Sequence, residues 1–222
     1  MLLPFDELDN LIASWVLPFE KEPNREKVID DIYEMLVYAY VYGWTNTSEN
    51  LGIPLELKTE SAERALYQPI AGKTWVERVN EAFDNAVEMP NGDLYAETDL
   101  SNGDADLPTD GGLYAPSGGN YEPLFDIIVR IVSTETTRVF SAGGEDAGEE
   151  AERRAGKNAV KTWRTMEDER VRITHQFLNG TTIPLKERFW TIDGDSAPYP
   201  GLFSLPQNSI NCRCYVEVTW EK

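Results

Sequence analysis

The soft metal donors of this chain are confined to two short stretches. Its 222 residues include one histidine and two cysteines. His175 lies in "DERVRITHQFLNG", Asp168–Gly180, and Cys212 and Cys214 lie in "NCRC", Asn211–Cys214. Thiolate sulfur and imidazole nitrogen are zinc donors, so these residues supply three corners of a tetrahedron and leave the fourth to water or another residue. Zinc is therefore the one candidate cofactor, in a structural site at His175, Cys212 and Cys214. The spacing is C-x-C, not the C-x-x-C of a zinc knuckle. Asp168 as fourth ligand would stand ~10 Å from His175 along a regular helix, and would reach the site only if that helix were broken. Two other readings use the same residues. In one, His175 is a hydrogen-bonded core residue and the thiols pack as small hydrophobes. In the other, the cluster serves a metal- or thiol-dependent enzyme, as a Cys–His nucleophile oriented by Asp168. The cysteines fall on a predicted strand and not at a helix N-terminus, which disfavours a reactive thiolate. A bridge between them would strain an extended backbone, where side chains two residues apart stand about 6–7 Å from each other.

The elements that position these donors follow from periodicity. "CRCYVEVTW" alternates, which puts Cys212, Cys214, Val216 and Val218 on one face of a final strand. "VKTWRTM" predicts a short strand around Trp163. "MEDERVRITHQFL" predicts a turn or two of helix, along which Asp168 and Arg172 pair four residues apart. "NGTTIPLKERFW" opens on a turn and then extends, and "DGDSAPYPGLFSLPQNS" reads as loop. Trp163, Leu178, Phe189, Val216 and Val218 are the expected core around the donors.

Upstream the pattern is helical. Val28, Ile32, Met35, Leu36, Ala39 and Tyr40 predict a helix over 24–45 with Asn24 as its cap. Further helices are expected over 59–67, 74–87 and 121–140. "SAGGEDAGEE" is expected to break the last of these, with a short helix over 149–159 beyond it. Glu135 and Arg138 are expected to pair at the surface. "SWVLPFEKEP" reads as an extended arm because Pro18 and Pro23 interrupt it. A Gly, Pro, Asn and Asp-rich loop spans about 89–120, with a hairpin turn at "NG" or "GG". Its acids Asp104, Asp106 and Asp110 lack the bidentate Glu of a calcium loop.

Composition narrows the function classes. Hydrophobic residues make up 41 % of the chain, enough for a core. The longest apolar run, "MLVYAYVYGW", is too short to span a bilayer, and the N-terminus lacks the basic start of a signal peptide. The expectation is a soluble protein made in a cytosol. The net charge of −19 argues against general affinity for nucleic acid. Residues 1–150 hold 9 basic and 30 acidic side chains, whereas residues 151–190 hold 9 basic and 5 acidic. One basic island, containing the histidine, thus sits in an acidic protein. It reads first as a solvated face, and second as a contact for an acidic partner or for DNA packed nearby.

From Thr134 to Cys214 the order "TET", "KTWRTMEDERVRITH", "LNGTTIPLKERF", "GDSAPYPG", "NCRC" resembles the phage Mu F-like family of minor head proteins, the head morphogenesis proteins. Trp163, Asp168, Val171, Arg172, His175, Leu178, Gly180, Phe189, Pro200, Cys212 and Cys214 fit its pattern in order. The resemblance implies a non-catalytic minor capsid protein of a tailed phage. Such a protein associates with portal or major capsid protein, can self-associate, and takes part in head assembly or DNA delivery. It implies residence in the host cytoplasm during assembly and then in the virion head, with no membrane span and no sequence-specific nucleic-acid contact. Trp163, Asp168, Arg172, Leu178, Gly180 and Phe189 are its structural motif here. Two departures stand out. Some relatives have C-x-x-C where this chain has Arg172 and His175, so Arg172 removes a donor and can instead pair with Asp168. Some also carry a toxin or transferase domain after the C-R-C strand, and eight residues follow Cys214 here, so no such domain is expected. The expected architecture is α+β: an arm over 1–23, a mainly helical partner-binding region over 24–150, and a compact C-terminal domain of short strands and helices over 151–222.

Overall fold

The computed structural model describes residues 24–88, 93–97, 121–169 and 171–222. The expected arm and the acids Asp104, Asp106 and Asp110 lie outside the described residues. The architecture is α+β, with two long helices, one small antiparallel sheet between them in the chain, and two further small antiparallel sheets after them.

Helix α1, Arg25–Leu51, opens where Asn24 accepts a hydrogen bond from the Lys27 amide and closes at Gly52 in the left-handed conformation. Both ends follow from capping chemistry, since the Asn side chain satisfies an orphan donor and glycine adopts positive φ without a Cβ clash. The helix runs past its expected end near Thr45, because Thr47 and Leu51 continue the buried stripe of Val28, Ile32, Leu36, Tyr40 and Trp44. Helices α2, Thr59–Leu66, and α3, Trp75–Asp84, follow. A capping box between Thr74 and Glu77 starts α3, which buries Trp75, Val79 and Ala82. Strands β1, Ala86–Glu88, β2, Leu94–Glu97, and β3, Tyr121–Pro123, form an antiparallel sheet in that order. Strand β1 begins within the residues expected to end the helix over 74–87 and pairs with β2, while the "NG" expected as a hairpin turn lies outside the described residues.

Helix α4, Leu124–Ala155, is unbroken through "SAGGEDAGEE". The break expected there, and the separate short helix after it, are corrected by one 32-residue helix. The reason is packing. A Cβ on Gly43 would stand 2.0 Å from the Phe140 carbonyl oxygen, and one on Gly143 would stand 2.3 Å from that of Tyr40. The glycines mark where α1 and α4 touch backbone to backbone, and this contact outweighs glycine's poor helix propensity. A second correction concerns charge. Glu135 and Arg138 form an ion pair, but both side chains are 0 % exposed. Arg138 also donates to the carbonyls of Ala65 and Leu66, and Arg78 donates to Glu135. The surface pair is therefore a buried network tying α2 and α3 to α4.

Beyond α4, strand β4, Ala159–Arg164, lies between β5, Thr182–Pro184, and β8, Tyr215–Trp220. The register places Trp163 opposite Val216. Strand β6, Phe189–Trp190, in the stretch expected to be extended, pairs with β7, Ser196–Ala197, which lies in the segment expected as loop. That segment also contains a single helical turn, α6, Pro206–Ser209. One buried cluster joins Val28, Leu36 and Tyr40 of α1 to Val139 of α4, and to Trp163, Leu178, Phe189, Cys212, Cys214 and Val216. Val218 packs in a smaller group with Leu51, Ala151, Ala159 and Leu185.

Candidate metal centre

The histidine is carried by a single turn, α5, Ile173–Gln176. That turn is anchored by the chain that follows it. Leu178 N donates to the His175 carbonyl, Gly180 takes φ 79°, and Gly180 N donates to the Trp163 carbonyl at 2.8 Å. Trp163 N returns a bond to the Thr181 carbonyl at 2.9 Å. The Leu-x-Gly turn thus locks α5 onto β4, and only a residue tolerant of positive φ fits at Gly180. Around the imidazole the aromatic rings close in. Trp163 meets His175 edge-on with centroids 5.3 Å apart, and Phe203 lies 5.3 Å from it. Phe189 packs 5.1 Å from Trp163 on another side.

The thiols arrive from the approach to β8. Asn211 has φ 56°, and its amide donates to Thr134 Oγ1 of α4 at 2.9 Å. Asparagine is among the few side chains that tolerate this region. Residues 212 to 218 then alternate buried and half-exposed, so Cys212 and Cys214 face inward together as expected. They precede the strand, which begins at Tyr215, because no partner pairs with Cys212–Cys214 in the β4 register.

His175 Nδ1 lies 3.5 Å from Cys212 Sγ and 3.6 Å from Cys214 Sγ. All three donor atoms fall within 4.8 Å of one another. The site is closed, with His175 1 %, Cys212 2 % and Cys214 3 % exposed. The cavity of about 370 Å³ on the described surface is lined by Gln68, Ile70, Arg188 and Phe203 among others, and by none of the three donors. Burial opposes ionisation of Cys212, yet the hydrogen bond from Cys214 and the neighbouring imidazole hold its thiol well below the usual range. Cys214 is pushed the other way, first by that same bond and then by burial.

Asp168 does not belong to the donor cluster. It accepts a bond from Arg213, while Arg172 donates to the Ile210 carbonyl. The helix expected to carry Asp168 and Arg172 is corrected, since it covers only Ile173–Gln176 and Asp168 lies in the preceding turn. Both arginines straddle the C-R-C segment, Arg213 from within it and Arg172 from the turn bearing His175. They pin the thiols against the histidine turn.

Asp195 was not singled out by sequence reasoning. Its carboxylate accepts bonds from the amides of Ser196, Ser204 and Leu205, from Ser204 Oγ and from Asn208 Nδ2. Burial raises its pKa, and these bonds outweigh that and hold it below the usual carboxylate range. The knot fixes the loop that delivers Phe203 to the imidazole. Its only sequence signal was an Asp in a Ser, Gly and Asn-rich stretch, which is generic turn chemistry.

Residues 127–217 match the family described as "Phage Mu protein F like protein". The match bears out the resemblance read from Thr134 to Cys214. Among curated relatives, "Minor head protein GP7" of Bacillus phage SPP1 is 35 % identical over 81 residues, covering 36 % of this chain and 26 % of that protein. "NAD(+)--arginine ADP-ribosyltransferase EFV" of Enterococcus faecalis (strain ATCC 700802 / V583) is 37 % identical over 93 residues, covering 42 % of this chain and 19 % of that protein. The chain therefore spans about a quarter or less of the length of these relatives. No solved structure matches it.

Proposed function

We propose that this chain is a non-catalytic minor head protein that takes part in phage head morphogenesis and binds the portal or another head protein. The observation that supports this reading best is the match of residues 127–217 to the Mu F-like family, joined by 35 % identity to a minor head protein over 81 residues. Burial of both thiols and the imidazole supports it further, because a nucleophile must reach its substrate. On this reading the chain assembles in the host cytoplasm and ends in the virion head. Its charge of −19 directs it toward protein and away from packed DNA. No helix among the described residues is long and apolar enough to cross a membrane.

Exposed apolar side chains lie on the segments around the cluster. Ile173 opens α5 and Phe177 caps it, and they are 67 % and 66 % exposed, while Trp190 and Ile192 are 64 % and 62 % exposed. Asn208 links the two segments, meeting Thr174 Oγ1 at 3.4 Å and Asp193 at 3.1 Å. Large apolar side chains held open by a rigid scaffold form the kind of anchor that buries on association. The test is recovery of the untagged chain with portal or major capsid protein from producing cells. Co-purification with neither, and absence from purified heads, would refute the reading. The ADP-ribosyltransferase-named relative motivates one alternative, an NAD-dependent activity. Transfer of label from NAD to an arginine substrate by the pure chain would establish it in place of the structural role.

A further inference from the structure

The mutual geometry of the three buried donors carries more than a hydrogen bond. Two sulfurs approach one nitrogen at 3.5 and 3.6 Å. A single Nδ1 site, whether lone pair or N–H, can serve one of them in line but not both, and thiols are weak partners in any case. A common centre explains the equality. With Zn–S of about 2.3 Å and Zn–N of about 2.0–2.1 Å, a tetrahedral edge between sulfur and nitrogen is about 3.6 Å. That is the observed separation. Charge points the same way. Two thiolates buried without compensation would be costly, whereas two thiolates and a neutral imidazole around a divalent ion sum to zero. The site is also braced before any ion binds, by the Trp163–Gly180 backbone exchange, the Asn211 bond to Thr134 and the Arg172 bond to Ile210.

We propose that Cys212 Sγ, Cys214 Sγ and His175 Nδ1 bind one zinc ion as a structural rivet between the α5 turn and the approach to β8. Among the described residues no acid joins the cluster, so the three soft donors alone define the site. The ion fixes the imidazole, whose Nε2 is buried without a hydrogen-bond partner and so lacks the outer-shell bond that orients most ligating histidines. In this site, aromatic packing from Trp163 and Phe203 takes over that orienting role.

The inference is independent of the proposed assembly role and is tested on the free chain. Full-length protein without an affinity tag, produced in zinc-containing medium, is analysed for metal content and for folding by circular dichroism. One zinc per folded chain is expected, and Co²⁺ exchanged into the site should show the absorption of a tetrahedral thiolate complex. Chelation should turn slow alkylation of Cys212 and Cys214 into fast alkylation. Cys212→Ser should weaken zinc binding by more than the roughly 10–100-fold that loss of an outer-shell partner costs. Should that variant not fold, the wild-type measurements decide alone. Folded wild-type chain with no stoichiometric metal and no Co²⁺–thiolate band would overturn the proposal, and copper in place of zinc would overturn the zinc assignment.

Discussion

Replacing Gly43 with alanine tests the backbone contact on which the helical half rests. The new Cβ would stand 2.0 Å from Phe140 O, 2.9 Å from Phe140 C and 3.2 Å from Gly144 N. These are main-chain atoms of a helix, so no rotamer change relieves the clash, and α1 and α4 must part by about 1 Å or more to reach ordinary contact. A gap of that size forfeits roughly a quarter to a half of the dispersion energy of each facing atom pair. Overpacking costs about 1–3 kcal/mol where side chains can yield, and here they cannot, so the upper end applies. Alanine returns about 1 kcal/mol in helix propensity. The expected net loss is therefore about 2 kcal/mol or more. Gly143→Ala, at 2.3 Å from Tyr40 O, should behave alike. Gly144→Ala is the control. It gains the same propensity, and its nearest obstacle is the Thr47 side chain at 3.1 Å, which can turn aside. Urea denaturation of the three variants, with unchanged slope, gives the comparison directly. Equal stability of Gly43→Ala and Gly144→Ala would refute the close approach.

Three further outcomes are expected. Glu135→Gln strands Arg138 and half-buried Arg78 without their carboxylate, and should cost about 3–5 kcal/mol in chemical denaturation; a loss under about 1 kcal/mol would mark an ordinary surface pair. Glu150 is held below the usual carboxylate range, chiefly by its bond from Arg153 and then by Lys58 and Arg154. A depressed folded-state value means stability present above the unfolded carboxylate value near ~4.3 and lost as pH falls below it, so Glu150→Gln should flatten the acid limb of stability against pH. A limb of unchanged steepness would remove Glu150 from the account. Changing exposed Phe177 and Trp190 to serine should alter stability by no more than about 0.5 kcal/mol each while lowering recovery with the portal or capsid partner. Undiminished recovery would place the contact elsewhere.

Local chemistry made much of this fold legible. Asn24 capping, the Thr74 start of α3, the 212–218 alternation and the convergence of His175 with both cysteines all follow from side-chain type and spacing. What was hidden depends on partners distant in the chain. "SAGGEDAGEE" reads as a helix breaker by propensity, and only its tertiary neighbours explain its glycines: the α1 backbone at Gly143, Thr47 at Gly144, and Leu185 and Val218 at Gly148. Glu135 and Arg138 look like a surface pair at three-residue spacing, and only the Ala65 and Leu66 carbonyls reveal that α2 covers them. The Asp168–Arg172 spacing implied a shared helix, and nothing local announces that Arg213, forty-five residues away, donates to the Asp168 carboxylate. Asp195 gathers donors from a loop whose path no periodicity encodes.

Helix α4 has a consequence for how the shared segment is used. The match begins at residue 127, in the first turn of a rod about 48 Å long at ~1.5 Å per residue. The helix that fills its groove, α1, lies wholly outside that stretch. In this chain the shared segment is not self-sufficient and needs a companion supplied from upstream. Any chimera that exchanges the N-terminal portion must therefore bring a helix with a bare backbone notch where Gly43 stands, or leave the apolar flank of the rod open to water.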